Sequence, residues 1–521
     1  MTGAAAFALG GAVPEAHAQS PKKGGTLQFA ISAETPHYDN HGSDTYATLH
    51  FAAPFYSTLL RFDLDKFPEV QGDLAASWTV APDLMTYTFK LHPGVKFHDG
   101  TDLTTADVKA SYDRLRNPPQ GVVSTRQATF TDIGTIETPD PLTIIFKMKA
   151  VNASMLEHFA SPWNVIYSAK DLAADPNGPK TKINGTGPFV FVEHVKGSNV
   201  AGKRNENYFK KGMPYLDGFK GVFTLQAAAM LNAIQGAQVL AEFRGISPAE
   251  RDRLVQAMGD RIRIEESSWT LNLLVCFNVE KKPFDDVRVR RALLMAIDRW
   301  GGSQGLSRIS TLRSVGGVIR PGSPFATPEV ELVKLPGFSK DIKASREEAK
   351  KLLKEAGQEN LKFVLWNRNL AMPYTPAGIF LVDQWRQIGV EVEHKQSDTG
   401  PYLATMNAGN HDVAIDFSNL FMDDSSLGLA KYLSLARAPE NRSRHKDTEL
   451  DQIYDDHLRE RDPEKRKALI RAFEKRTFEQ AYQQPLLWWH RIVPSHKTVM
   501  GWKMSPSHNL GAQLEEVWLN T

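Results

Sequence analysis

A mixed α/β fold of more than one domain is what this sequence predicts, on three observations. The chain has 521 residues, enough for two or three domains and a large core. Residues 362–366, 374–388 and 389–393 read as strand, helix and strand, the order of a mostly parallel α/β layer. Segments such as 85–91 (MTYTFKL) alternate β-branched and aromatic residues with polar ones, which suits half-buried strands.

In chain order, residues 24–30 read as the first strand and 54–60 as the end of a helix. After the strand at 85–91, Pro93-Gly94 turns the chain, 95–97 starts a second strand and Asp99-Gly100 turns it again. Thr104 or Thr105 caps a helix that opens with Asp107, whose carboxylate suits the positive end of the dipole. Residues 187–195 form a strand, 227–235 a helix, and 261–266 and 269–278 two further strands. In the helix at 288–300, Val289, Ala292, Leu293, Ala296 and Ile297 share one apolar face. Gly357 stops the helix at 345–356. A buried strand at 412–417, helices at 448–458 and 463–481, and a strand at 485–489 complete the pattern.

Composition narrows the function classes. Lys and Arg number 62 against 60 Asp and Glu, a net charge of +2, so neither a nucleic acid nor an acidic membrane surface is implied as partner. Residues 1–18 are rich in Ala and Gly and end Ala16-His17-Ala18, an A-x-A cleavage pattern; a signal peptide truncated at its start is expected, with a disordered Ala-rich tail as the plain alternative. No run of eighteen apolar residues exists, hence no membrane span is expected. The single cysteine, Cys276, lies in the apolar run 271–277 and reads as a core thiol. No cysteine follows the signal, so no lipid anchor is expected.

Several blocks carry more than secondary structure. They are the stretch 84–108, Asn184-Gly185-Thr186-Gly187-Pro188-Phe189, Arg204-Asn205-Glu206-Asn207-Tyr208 with Gly212 to Asp217, and Phe277-Asn278 followed by Lys282 to Arg290 and Ala292 to Arg299. In this order, over nearly the whole chain, they resemble the peptide-type (family 5) extracytoplasmic solute-binding proteins of ABC importers. The resemblance implies a two-lobed α/β periplasmic-binding-protein fold (type II, cluster C-like) with an extra subdomain on lobe I. Lobe I would span 19–268 with the subdomain at about 61–183, lobe II 269–494, and 495–521 would return to lobe I. Crossings near 266–278 and 488–498 would act as hinges. The implied function is capture of a small ligand, a peptide or another organic solute, in the interlobe cleft and delivery to an inner-membrane permease with a cytoplasmic ATPase. A soluble monomer of a Gram-negative periplasm, without cofactor, is the expected form.

Enzyme motifs are weak. Gly301-Gly302-Ser303-Gln304-Gly305 matches G-x-S-x-G but follows a helix rather than a strand, so it reads as a flexible loop. Scattered histidines, His92 and His98 among them, lack the spacing of metal ligands.

The resemblance places Ser43-Asp44-Thr45 where dipeptide binders contact the ligand backbone; an Asx or ST turn before a helix accounts for the same residues. Asp416 to Asp424 resembles a cleft-lining segment whose first Asp pairs with a ligand α-amino group. Here that position is Leu420, Phe417 takes the place of a Trp, and Asn419, Phe421 and Asp423 complete the segment. A buried ammonium without its counter-ion costs about 3–5 kcal/mol, so a free peptide N-terminus is disfavoured unless Asp416 or Asp423 reaches that spot. Arg368, four residues before Met372-Pro373-Tyr374, offers the planar fork that suits a carboxylate or phosphate; an exposed loop charge is the plain alternative. Trp269, Phe417, Phe421, Trp488 and Trp489 fit either core packing or stacking platforms. Glycan, opine or lipid-like ligands therefore stay open beside peptides, as do a receptor without transport and, more remotely, a hydrolase.

Overall fold

The computed structural model describes residues 20–224, 226–370, 372–420 and 422–521; the expected signal peptide and Phe421 lie outside them. Lobe I is built on a four-stranded sheet. Thr26–Ile31 runs parallel to Gly218–Phe223, which pairs antiparallel with Asn199–Arg204 and then Phe189–Val195. Leu27, Phe29 and Ile31 pack with Phe55, Phe189 and Phe219, and Val499, Leu514, Val517 and Leu519 from the chain end join the same core.

Residues 75–148 carry a second, antiparallel sheet in the order Ala75–Val80, Thr86–Leu91, Thr143–Met148, Ile133–Asp140. Tyr87, Phe89 and Leu91 point inward with period two, and the helix Thr105–Arg116 covers them. Its start follows the sequence signal: Thr104 and Asp107 form a capping box. The strand expected at 95–97 is absent. Phe97 N donates to Thr101 O and Leu103 N to Val95 O, both at 2.8 Å, so the stretch closes on itself as a tight loop.

Lobe II holds a six-stranded mixed sheet in the order Leu312–Ser314, Gln483–His496, Ile262–Phe277, Val413–Asn419, Lys362–Arg368, Glu391–Ser397. The parallel pair Lys362–Arg368 and Glu391–Ser397 is joined by the helix Tyr374–Arg386, as the strand–helix–strand pattern predicts. The two strands expected at 261–266 and 269–278 are one strand of 16 residues, paired with a partner of 14 in place of the short strand expected at 485–489. Their pairing shifts register between Ser268 and Asn272. Ile262 and Ile492 pack against the lobe I helices Ala227–Gln235 and Pro248–Met258, whereas Leu271, Leu273, Leu486 and Leu487 sit in the lobe II core. One continuous pair of strands thus runs through both lobes.

Two helical expectations are corrected. The helix expected at 288–300 stops at Met295, and a second helix, Arg299–Ile309, absorbs the Gly301–Gly305 stretch read as a loop. Asp298 caps the new start by accepting from Gly301 N at 2.8 Å. Gly302 lets Phe380 approach to where a Cβ would sit 2.4 Å from its ring, so tertiary packing favours the helix despite its glycines. The helix end expected at 54–60 comes earlier: Tyr46–Ala52 and a 3₁₀ turn, Ala53–Phe55, precede a buried extended stretch.

The lobes also meet outside the crossing strands. Met422, just beyond the Val413–Asn419 strand, is fully buried in the core of the 75–148 sheet. Beside it, Arg466 of lobe II donates to Ala153 O (3.3 Å) and Ser154 Oγ, Ala153 N donates to Leu458 O (2.8 Å), and Ser426 Oγ meets His158 Nε2 (3.4 Å). No helix among the described residues is long and apolar enough to cross a membrane.

Candidate functional site

Both lobes wall a cavity of ≈ 500 Å³. Its lobe I wall begins at Asp44, Thr45 and Tyr46, where Thr45 caps the helix Tyr46–Ala52 by accepting from Ala47 N. Asp44 is exposed at the mouth. The second lobe I contribution is the loop 244–247. Buried Glu242 accepts from Arg244 N (3.1 Å) and Gly245 N (2.6 Å) and fixes the turn. Gly245 has φ +149 and lies where a Cβ would come within 3.1 Å of the Trp269 ring, so both backbone and space require glycine. Ser247 and Glu250 then form the capping box of the helix Pro248–Met258.

Trp269 forms the floor. It sits at the register shift of the crossing strand, a bulge that re-aims side chains. Its indole N–H donates to His508 Nδ1 at 3.0 Å, and its ring meets Trp489 edge-on at 5.6 Å. The His508 carbonyl accepts from His50 Nε2 at 2.7 Å. Burial, with the Arg244 charge next, keeps His508 well below the ordinary imidazole range, so the ring stays neutral.

Lobe II supplies Arg368, Tyr374, Phe417 and Asn419, with Leu271, Thr311 and Leu370 around them. Arg368 ends the Lys362–Arg368 strand. Asn367 pins that corner by accepting from Arg368 N (2.9 Å) and donating to Tyr374 O (2.7 Å). Arg368 is only 9% exposed, and its guanidinium lies 4.6 Å from the Phe417 ring centroid, 5.3 Å from Tyr374 and 5.4 Å from Tyr402. Across the cavity the Arg244 guanidinium lies 4.3 Å from the Tyr46 ring and 5.6 Å from Trp269. Among the described residues neither guanidinium has an ion-pair or hydrogen-bond partner, and both Nε atoms are buried without one. Aromatic faces lower the energy of such a cation by about 0.5–2 kcal/mol, less than full burial of an unpaired charge costs.

The other sequence candidates are committed elsewhere. Ser43 is buried behind the wall, donating to Thr48 Oγ1 at 2.9 Å. Trp488 is fully buried and donates to Gly317 O at 3.0 Å. Leu420 is buried and ties the lobe II strand end to Thr270 O through its N–H at 2.9 Å. Asp423 pairs with Arg320 at 2.6 Å. Asp416 pairs with Lys431 at 2.8 Å and Arg442 at 3.5 Å; burial raises its carboxyl, yet these cations hold it below the usual carboxylate range. Neither acid reaches the cavity, so the counter-ion for a buried ammonium is missing from lobe II. Sequence reasoning missed Arg244, Tyr46, Thr311, Met372 and His508. For Arg244 one signal existed: Arg-Gly directly ahead of Ser-Pro-x-Glu, a helix start with its capping box. Ser303, in mid-helix, donates to Arg313 O, and no group of three or more His, Cys, Asp and Glu residues suited to a metal occurs among the described residues.

Comparison with known proteins shows what the chain as a whole resembles. The family described as "Bacterial extracellular solute-binding proteins, family 5 Middle" matches residues 69–438. The di/tripeptide-binding protein 1 of Pseudomonas aeruginosa is 27% identical over 96% of this chain and 94% of its own. A glutathione-binding protein of Pectobacterium atrosepticum is 28% identical over 72% and 70%. Among solved structures, the periplasmic binding protein DppA of Helicobacter pylori in complex with peptide STSA superposes with a TM-score of 0.79 at 22% identity, over 96% of this chain and 99% of that one.

Proposed function

Because the chain belongs to family 5 of the bacterial extracellular solute-binding proteins, we propose that its interlobe cavity captures a small carboxylate-bearing solute, a peptide or a peptide-like acid. It is a binding protein, not an enzyme. The observation that carries the ligand class is Arg368: a nearly buried guanidinium, ringed by Phe417, Tyr374 and Tyr402, with no anion among the described residues. Its fork geometry fits a carboxylate in two parallel hydrogen bonds. Trp269, Trp489 and Tyr46 offer flat apolar walls to the rest of the ligand. Asp44, at the mouth, is the carboxylate placed to meet a ligand ammonium, and it does so in contact with water rather than in a buried pocket.

In this reading the two lobes close on the solute by bending at the crossing strands near 266–278 and 488–498. The closed protein is a monomer in the periplasm and presents its cargo to an inner-membrane ABC permease driven by a cytoplasmic ATPase. The relatives named above, which bind di- or tripeptides and glutathione by their names, support a carboxylate-bearing cargo.

Native mass spectrometry of protein purified from its own cell envelope, followed by denaturing extraction, tests the reading. One or more bound masses bearing an acid group are expected. A neutral sugar or a hydrocarbon chain would overturn it.

A further inference from the structure

We infer that the ligand carries two anionic groups, one taken by Arg368 of lobe II and the other by Arg244 of lobe I. This rests on the binding reading above and adds to it a substrate class, a diacid clamped between the lobes. The two guanidiniums line the same cavity, one from each lobe. Each lies close to aromatic rings, 4.3 Å from Tyr46 for Arg244 and 4.6 Å from Phe417 for Arg368, contacts that favour the cation but accept none of its N–H groups in line. Neither has a partner among the described residues.

No carboxylate among the described residues forms an ion pair with either guanidinium, although buried Glu242, whose carboxyl burial raises, feels the Arg244 charge acting against that rise. Glu250 is engaged in its capping box with Ser247 N at 2.6 Å. Asp44 is one exposed charge at the rim. Glu242, which holds the Arg244 turn, is 2% exposed and directs both oxygens at backbone N–H groups. The Tyr374 phenol reports on both cations: burial pushes it up, and the charges of Arg368 and Arg244 both act against that rise. Two helices of eleven and thirteen residues, Pro248–Met258 and Tyr374–Arg386, also begin at the cavity wall, one beside each arginine. Their positive ends add to a field that favours anions.

Clamping links recognition to closure. A monoacid satisfies one lobe and leaves the other cation uncompensated when the lobes meet. A diacid of fitting length satisfies both only when they are together, so its second acid group stabilises the closed form specifically. Arg320, Asp423, Asp416, Lys431 and Arg442 are already paired with one another nearby and take no part.

The test is a homologous series of straight-chain dicarboxylates, malonate to suberate, against monocarboxylates of equal length, read by thermal shift and titration calorimetry. The wild-type protein is expected to prefer one dicarboxylate length at least tenfold over the matching monoacid. Arg244→Gln should abolish that preference by lowering dicarboxylate affinity at least tenfold and raising monoacid affinity, because the uncompensated cation is gone, and Arg244→Lys should restore part of the preference. If Arg244→Gln misfolds, the count of methyl esters formed on the native extracted ligand gives the answer without a variant: two are expected. A flat response across chain length, or a native ligand with one acid group, overturns the clamp while leaving solute binding intact. A protein that binds none of the series and carries no ligand counts against the clamp and the binding reading together.

Discussion

Met422 touches no wall of the cavity, yet its truncation should weaken ligand binding. The side chain leaves lobe II and is fully buried as part of the core that the 75–148 sheet builds. If the lobes part by bending at the crossing strands, this contact breaks, and its whole energy weighs on the closed form. Met→Ala in a filled core costs about 2–5 kcal/mol, depending on how far the site collapses. Met422 enters from a loop end, which can follow the shrinking cavity, so the lower part of that range, about 2–3 kcal/mol, is appropriate. At about 1.4 kcal/mol per decade this is about a 30- to 150-fold loss of affinity. Calorimetry on Met422→Ala measures it, small-angle scattering should show a larger radius of gyration without ligand, and Met422→Leu should recover most of both. An unchanged affinity with a lowered melting temperature would refute the reasoning, because it would mean that Met422 stays inserted whether or not ligand is bound.

Three further outcomes are expected. Burial, with the Asp424 charge beside it, pushes the Glu157 carboxyl up to about 7, while Arg466 pulls the other way. An acid raised in the folded state adds no cost below its unfolded value near 4.5; the cost grows as pH climbs toward 7 and is complete above it. Glu157→Gln should therefore melt with the wild type at pH 4.5 and above it at pH 8, by an amount on the order of 2–3 kcal/mol; a difference independent of pH would count against this. Gly245→Ala forces a side chain into φ +149 against Trp269 and should cost about 1–3 kcal/mol, seen as a lower melting temperature and weaker binding. Cys276 has no exposed surface and burial raises its thiol, so it should resist a thiol reagent in the native protein and react on unfolding.

What the sequence discloses depends on the range of the interaction. Periodicity and capping are local, and the helix Ala227–Gln235, a helix start at Thr104 or Thr105 with Asp107 in its first turn, and the strand–helix–strand run through Lys362–Arg368 were legible from neighbouring residues. The glycines at 301–305 misled because their helix is held by Phe380 and Asp298, contacts that propensity does not contain. At the site, the aromatics Trp269 and Trp489 and the corner from Arg368 to Tyr374 stood out through their chemistry and motif. Arg244 did not, because an arginine in a loop becomes informative only when Tyr46 and Trp269, from distant parts of the chain, are brought against it and no carboxylate is found paired with it. Trp488 and Trp489 show the same limit: adjacent on one strand, they face opposite sides of the sheet, and only Trp489 reaches the cavity.

The chain end that completes the lobe I core has a consequence for the order of assembly. Leu27, from the first strand, shares its core with Val499, Val517 and Leu519, and a Cβ on Gly25 would touch Leu519 at 3.1 Å. A polypeptide that emerges amino end first therefore delivers every strand of the second lobe before the first can be closed. For most of that interval the opening strand packs only on Phe55, Phe189, Phe219 and their lobe I neighbours, and the final twenty or so residues act as the fastener. Removing them should leave a protein whose earlier-written half unfolds first.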